Sequence, residues 1–190
     1  RCSLFVVQFV KGSETWFTFM EYYLLMAMHT DNYINALAIY RKASSNTKCK
    51  KITSVEKEKW KIYDIYLNYI IEAQGAKNPI LRAQKRKSFR LSRFLNDSIL
   101  YPKDQRIFTV HLLIAQVLFL IEKNSYSAAT ERIDRLKNYA NRQLKKDDYF
   151  RTIQFIRLLQ QLSKVDFRHD SVSNVEKYYN RLVEQPFKYR

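Results

Sequence analysis

The chain is poor in the two residues that most often form turns. Its 190 residues include only 2 glycines and 3 prolines, whereas average usage of roughly 7% and 5% would supply about 23 of the two together. Sheets built from hairpins or crossovers need turn residues at short intervals, so this shortage argues against a fold built on β-sheets. We therefore expect an all-α protein, and its length indicates one domain over residues 1–190 with a sizeable core.

Cysteine and histidine are also scarce. Cys2 and Cys49 lie too far apart in the sequence for a disulfide framework or a metal knuckle, which favours a reducing compartment, and we expect a cytoplasmic protein. The three histidines are scattered, the two glycines are too isolated to form a phosphate-binding loop, and no nucleophile elbow occurs. The sequence thus predicts no catalytic residue, no metal and no cofactor. An enzyme would need a constellation that the sequence does not reveal.

Long apolar runs are missing as well. The longest, Ile107 to Ile121, has 15 residues interrupted by Thr109, His111 and Gln116, fewer than the roughly 18 needed to cross a bilayer. It is interpreted as a buried core helix, and no membrane contact is expected. Leu4 to Val10 is apolar but too short for a signal sequence. Because the first residue is not Met, we expect a fragment of a longer chain.

What the sequence does contain is apolar periodicity of 3.6 residues, which predicts about eight helices. They are expected at about 14–29, 31–44, 53–74, 79–94, 104–123, 125–145, 147–164 and from 173 onward, with loops at 46–51, 96–103 and 165–170. The residues expected to start helices after the first are Asp31, Thr53, Pro79, Asp104, Ser125, Asp147 with Asp148, and Ser173. Thr53 with Glu56 and Ser173 with Glu176 form capping boxes, and Gly75 supplies a stop.

Two segments align when their turns are superposed. The first, Met20 to Ala43, has Asp31-Asn32-Tyr33 in its turn, and the second, Leu113 to Leu136, has Asn124-Ser125-Tyr126. After each turn an alanine falls where the second helix would cross the first most closely. The residues predicted to pack at these crossings are Ala36, Tyr40, Ala43, Ala129, Ile133 and Leu136.

This pattern resembles the tetratricopeptide repeat. The resemblance covers about 50 of the 190 residues, and Leu24 and Val117 stand where the family has Gly. It implies antiparallel helical hairpins stacked as an array, a scaffold role and a concave groove lined by the first helix of each pair. The implied groove residues are Thr18, Glu21, Leu25, Met28 and His29, then His111, Ile114, Leu118, Ile121 and Glu122. The second set is apolar enough to pack against neighbouring helices or to accept a partner helix, and a generic helical hairpin is the alternative to the family.

Basic residues dominate the charge, and the formal net charge is +16. The segment Lys77 to Arg93 carries seven basic residues and no acidic one, and on one helix its arginines would share an arc of about 80 degrees. A second stretch, Arg41 to Lys61, carries eight positive residues against two glutamates. The residues predicted to contact a partner are Arg82, Lys85, Arg86, Arg90 and Arg93, with Glu21 and His29 of the groove.

Three interpretations of this charge stay open. It forms a solvated face, it attracts an acidic protein or another segment of the same chain, or it binds nucleic acid without a recognition motif. Phe89 and Phe94 interleave with the charges, yet helix packing explains Phe94 as readily as base stacking does. We favour a scaffold for protein–protein interaction, with non-specific binding of RNA or DNA as the alternative.

Overall fold

A computed structural model describes residues 8–84, 89–96, 101–102, 105–144, 149–168 and 173–184. Within these residues the chain forms nine α-helices and no β-strand, so the prediction of an all-α fold is confirmed. None of the described helices is both long and apolar enough to span a membrane. The chain divides into two compact units, residues 1–90 and 91–190, and the prediction of a single domain stays a prediction.

The helices pack mainly on their neighbours in the sequence. The first unit contains α1 (Glu14–His29), α2 (Tyr33–Ser44), a 3-10 helix (Thr47–Lys51), α3 (Ser54–Gln74) and α4 (Pro79–Ala83). The second unit contains α5 (Leu91–Asn96), α6 (Arg106–Glu122), α7 (Tyr126–Gln143), α8 (Phe150–Lys164) and α9 (Ser173–Glu184). In the first unit α2 packs on both α1 and α3; in the second, α7 packs on α6 and α8, and α8 packs on α9. This order is consistent with an array of helical hairpins.

Local capping sets the helix limits that the sequence predicts best. The Ser13 hydroxyl accepts the amide of Trp16 at 3.2 Å and starts α1. Thr53 and Glu56 form the predicted capping box, in which each side chain accepts the backbone amide of the other residue, at 3.2 and 2.8 Å. The helix that they open ends at Gln74, with Gly75 as its C-cap, as predicted. These limits depend on residues within one turn of each other, which is why the sequence alone predicts them.

Two local predictions are wrong. Asp31 does not cap α2, because it has left-handed backbone with φ 55°; Asn32 is the cap, and its side chain accepts the amide of Asn35 at 3.3 Å. The expected loop at 46–51 contains a 3-10 helix, whose first turn is closed by the Asn46 side chain. The predicted helix starts at Asp104, Asp147 and Asp148 lie outside the described residues.

The predicted continuous helix over 79–94 is also wrong. Helix α4 ends at Ala83 with Gln84 as its C-cap, the described residues 89–90 are not helical, and α5 begins at Leu91. Between Leu81 and residues 89–90 the sequence supplies no large apolar side chain. Most helical stability in proteins comes from packing an apolar face, so this cationic stretch lacks what would hold two helical turns together. Its positive charges also have no carboxylate at i+3 or i+4 to offset their mutual repulsion.

Trp60 on α3 organises the core of the first unit. Its ring lies 6.4 Å from Phe17 on α1, 6.1 Å from Tyr40 on α2 and 5.8 Å from Tyr63, between ring centroids. Two of these contacts, with Phe17 and Tyr63, are edge-to-face, a geometry that aromatic rings favour. One side chain therefore joins three helices, and the hairpin α1–α2 is fixed against α3.

The turn between α1 and α2 is a Schellman motif. The amide of Asn32 donates to the carbonyl of Ala27 at 2.9 Å, and the amide of Asp31 donates to that of Met28 at 3.3 Å. The Tyr33 hydroxyl donates to Asp31 Oδ1 at 2.5 Å. Asp tolerates left-handed backbone better than most residues, so this turn forms without glycine.

The turn between α6 and α7 repeats these contacts. The backbone amide of Ser125 donates to the carbonyl of Leu120, and the backbone amide of Asn124 donates to the carbonyl of Ile121, both at 2.9 Å. Asn124 has φ 54°, and its Oδ1 accepts from the Tyr126 hydroxyl at 2.7 Å. The two turns that align in sequence therefore share the Schellman backbone hydrogen bonds and the bond from the tyrosine hydroxyl to the left-handed residue, whereas the side-chain cap made by Asn32 has no counterpart at Ser125.

A third Schellman turn follows α8, with two left-handed residues, Asp166 and Phe167, in place of one, and the sequence alignment does not include it. The backbone amide of Phe167 donates to the carbonyl of Leu162 at 2.8 Å. The backbone amide of Asp166, a residue with φ 50°, donates to the carbonyl of Ser163 at 3.3 Å. The ring of Phe167 stacks on Tyr126 at 5.1 Å, which joins the second and third turns. The second unit therefore contains two successive helical hairpins, α6–α7 and α8–α9.

Candidate functional site

The residues predicted to pack at the hairpin crossings are buried. Ala36, Ala43, Ala129 and Leu136 are 0% exposed, which leaves no room for a larger side chain without movement of the facing helix. The two others, Tyr40 and Ile133, are buried as well. These positions serve packing, and whether they belong to a tetratricopeptide repeat stays a prediction.

The structure does not place the predicted arginines on one helix face. Arg82 lies on α4, Arg90 in the non-helical residues 89–90 and Arg93 on α5, and all three are exposed. Lys85 and Arg86 lie outside the described residues. The arc of arginines depends on one continuous helix, so it does not exist in this form. Contact of these residues with a partner stays a prediction.

Glu21 of the predicted groove has partners within its own unit. Its Oε1 accepts the Tyr63 hydroxyl at 2.6 Å, and the Lys59 ammonium group lies 3.2 Å from the same atom. Burial, and next the hydrogen bond to Glu21, raise the pKa of Tyr63 above its usual range. Glu21 therefore ties α1 to α3. His29 is exposed in the last turn of α1.

Three of the groove residues implied on α6 pack in the core of the second unit. Ile114 is buried in the core of the second unit, and Leu118 and Ile121 pack against it. Burial lowers the pKa of His111 on the same helix. The expectation that this apolar set packs against neighbouring helices is confirmed for these three aliphatic residues.

A basic cavity in the first unit is the strongest candidate site. It has a volume of about 380 Å³, and we refer to it as the lysine cavity. Its lining residues are Lys11, Lys42, Ser45, Asn46, Thr47 and Lys48. Three of them are cationic, three are polar and uncharged, and none is acidic. All but Lys11 belong to the basic stretch that the sequence identifies between Arg41 and Lys61.

Local hydrogen bonds build the wall of the lysine cavity. Helix α2 ends at Ser44, and Asn46 then takes extended backbone that turns the chain into the 3-10 helix. The side-chain Oδ1 of Asn46 accepts the amide of Lys48 at 2.9 Å, and its backbone carbonyl accepts the amide of Cys49 at 2.9 Å. Asn46 therefore fixes the position from which the Lys48 side chain extends.

Gly12 brings the third lysine to the cavity. Its φ of 82° is a conformation that residues with a Cβ rarely adopt. A Cβ at this position would lie 2.7 Å from Lys48 Cδ and 3.1 Å from the side-chain oxygen and nitrogen of Asn46. Because glycine has no side chain, the segment carrying Lys11 can lie directly against these two residues. The sequence pattern gives no sign of this approach across more than thirty positions.

The lysine cavity is electrostatically unbalanced. None of its three lysines forms an ion pair with a carboxylate among the described residues, although Lys59 and Lys61 in the same basic stretch do. Exposed charges attract counterions and anionic ligands within roughly 10 Å at moderate salt. Lysine ammonium groups and hydroxyls donate hydrogen bonds, so this arrangement is suited to holding an anion.

A smaller cavity of about 190 Å³ lies between α7 and α8 in the second unit. Its charged lining residues are Lys137 and Arg157, and Ile153 and Ile156 form an apolar wall. It also lacks an acidic lining residue, but its charges come from only two helices and its cations are fewer. We therefore take the lysine cavity as the better candidate.

The described residues offer no candidate metal centre. No group of three or more histidine, cysteine, aspartate or glutamate side chains among them is close enough to hold a metal ion. Comparisons with protein-family models, with curated proteins and with solved structures found no match. The functional interpretation therefore depends on the geometry of this chain.

Proposed function

We propose that the chain is a non-catalytic cytoplasmic scaffold of tetratricopeptide-like helical hairpins that binds an acidic segment of another protein. The observation that carries this proposal is the lysine cavity, whose three lysines form no ion pair with a carboxylate among the described residues and whose described lining includes no acidic residue. Complementary charge speeds encounter and selects a partner more than it adds raw affinity, so the expected binding is moderate and sensitive to salt.

The repeated turns support the scaffold part of the proposal. Three helices end in the same Schellman motif, with a left-handed Asp or Asn at residues 31, 124 and 166. Buried alanines follow two of these turns at the helix crossings. Helix pairs that repeat a turn and a close crossing stack into extended surfaces, the usual basis of binding by helical repeats.

A titration with a labelled polyglutamate peptide tests the proposal. We expect wild-type protein to raise the fluorescence anisotropy of the peptide, and the double variant Lys42→Gln/Lys48→Gln to weaken this binding. The double variant Lys77→Gln/Lys164→Gln is the matched control, because it removes the same charge from exposed positions outside the cavity. A third variant, Arg86→Gln/Arg90→Gln, tests the predicted arginine contacts. Equal affinity of wild type and both lysine variants would remove the cavity from the proposal.

Non-specific binding of RNA or DNA is the second candidate, and the formal net charge of +16 favours it. Binding to phosphate backbones releases counterions, so affinity should fall by orders of magnitude between about 50 and 200 mM salt. Measuring the affinity of a labelled thymidine oligonucleotide across this range of salt concentration tests this candidate. Tighter binding of the oligonucleotide than of the peptide at about 200 mM salt would favour this candidate over the protein scaffold.

A further inference from the structure

The lysine cavity collects more positive charge than one carboxylate balances. Lys11 precedes α1, Lys42 lies in the last turn of α2 and Lys48 lies in the 3-10 helix. Three separate segments thus contribute a lysine to the lining of one cavity. A carboxylate carries a single negative charge, whereas a phosphate monoester carries about 1.5 to 2 near neutral pH. A compact dianion therefore offsets the mutual repulsion of the three lysines better than a carboxylate does.

The uncharged lining residues favour the same ligand. The Ser45 hydroxyl is exposed and lies 3.4 Å from the carbonyl of Lys42, at the limit of a hydrogen bond, and Thr47 is exposed beside it. A phosphoryl group presents three terminal oxygens as strong acceptors. Two hydroxyls and three ammonium groups can serve these three oxygens together, and charge-assisted hydrogen bonds of this kind are roughly twice as strong as neutral ones.

The lining also separates a single phosphoryl group from a nucleic-acid strand. Proteins that bind single strands combine a positive groove with aromatic side chains on which bases stack. Among the described residues no aromatic side chain lines the lysine cavity, and its three lysines border one volume of about 380 Å³. A lining of this kind suits one compact anion better than a row of phosphodiesters.

We propose that the lysine cavity binds the phosphate monoester of a phosphorylated side chain on a protein partner, with Lys11, Lys42 and Lys48 as its charged ligands. This inference rests on the proposed function, because it names the acidic group that the scaffold recognises. In this proposal Gly12 and Asn46 are positioning residues, because they set the backbone positions from which the Lys11 and Lys48 side chains extend.

The test uses three versions of one short Gly/Ser peptide, with serine, phosphoserine or glutamate at its centre. Fluorescence anisotropy with wild-type protein should show that the phosphoserine peptide binds at least about tenfold more tightly than the glutamate peptide. Lys42→Gln/Lys48→Gln should lose about tenfold of this affinity, while the matched control Lys77→Gln/Lys164→Gln stays within about twofold of wild type. Inorganic phosphate should displace the phosphoserine peptide. Far-UV circular dichroism of each variant verifies that its helices are retained.

Four outcomes would overturn the inference, and they separate it from the proposed function. Equal affinity for the phosphoserine and glutamate peptides removes the phosphate preference and leaves an acidic partner in place. Equal affinity of the cavity variant and the control variant removes the cavity as the site. A thymidine oligonucleotide without a terminal phosphate that binds more tightly than the phosphopeptide supports nucleic acid and overturns both proposals. Binding of neither acidic peptide overturns both as well.

Discussion

Replacing Ala129 by leucine is the most direct test of the close hairpin crossing in the second unit. Ala129 lies near the start of α7 and is 0% exposed, so the larger isobutyl side chain of leucine would have to fit inside the core. Overfilling a well-packed site typically costs about 1–3 kcal/mol, because side chains leave their rotamers or the backbone shifts. We expect the free energy of unfolding to fall by this amount, measured by urea denaturation followed by circular dichroism.

The neighbouring Ala128 provides the control. It lies in the same helical turn but is exposed, so Ala128→Leu should change the free energy of unfolding by no more than about 0.5 kcal/mol. Both substitutions introduce the same side chain into the same helix, so helix propensity cancels in the comparison. The first unit repeats the design with Ala36, which is buried, and Ala38, which is exposed. Equal effects of the buried and exposed substitutions in each pair would refute the close crossing.

Three further predictions concern buried polar groups. Tyr63→Phe should lower the stability of the first unit by about 1–2 kcal/mol in urea denaturation, since the Glu21 carboxylate loses the hydrogen bond that the Tyr63 hydroxyl donates to it; an unchanged midpoint would show that the bond contributes nothing. Gln116→Leu should cost the second unit about 1–3 kcal/mol, because Gln116 donates to the Phe94 carbonyl at 2.7 Å and accepts from Arg132 at 2.7 Å; a Tm equal to that of wild type would contradict this. Burial lowers the pKa of His111 from 6.5, so the unfolded state binds its proton more readily, and the free energy of unfolding should decrease as the pH falls below about 6.5. His111→Gln should show a smaller decrease over the same pH range.

The sequence predicts those parts of the fold that depend on neighbouring residues. The limits of α1 and α3 follow from Ser13, Thr53 and Gly75, whose hydrogen bonds or backbone act within one helical turn. The predicted helix over 79–94 fails because its apolar residues lie only near its two ends, and between Leu81 and Phe89 the sequence offers no large apolar side chain for packing. Basic residues at helical spacing do not stabilise a helix unless apolar side chains on its opposite face pack against the rest of the protein.

The candidate site was predicted only in part, for a related reason. The basic stretch from Arg41 to Lys61 is visible in the sequence, but the sequence does not distinguish lysines that form ion pairs from lysines that do not. Only the structure separates Lys59 and Lys61, which pair with glutamates, from Lys42 and Lys48, which face the cavity. Tertiary packing decides which cations are neutralised, and packing is not encoded in local spacing.

The third Schellman turn shows why the hairpin repeat extends further than its sequence pattern. One residue separates the left-handed Asp31 or Asn124 from the next helix, whereas six separate Asp166 from α9. An alignment based on spacing after the turn therefore finds the first two turns and passes over the third. The motif itself completes the hydrogen bonding of the preceding helix and places no condition on where the next helix begins. The end of a helix can therefore recur through a chain even where the spacing to the next helix differs.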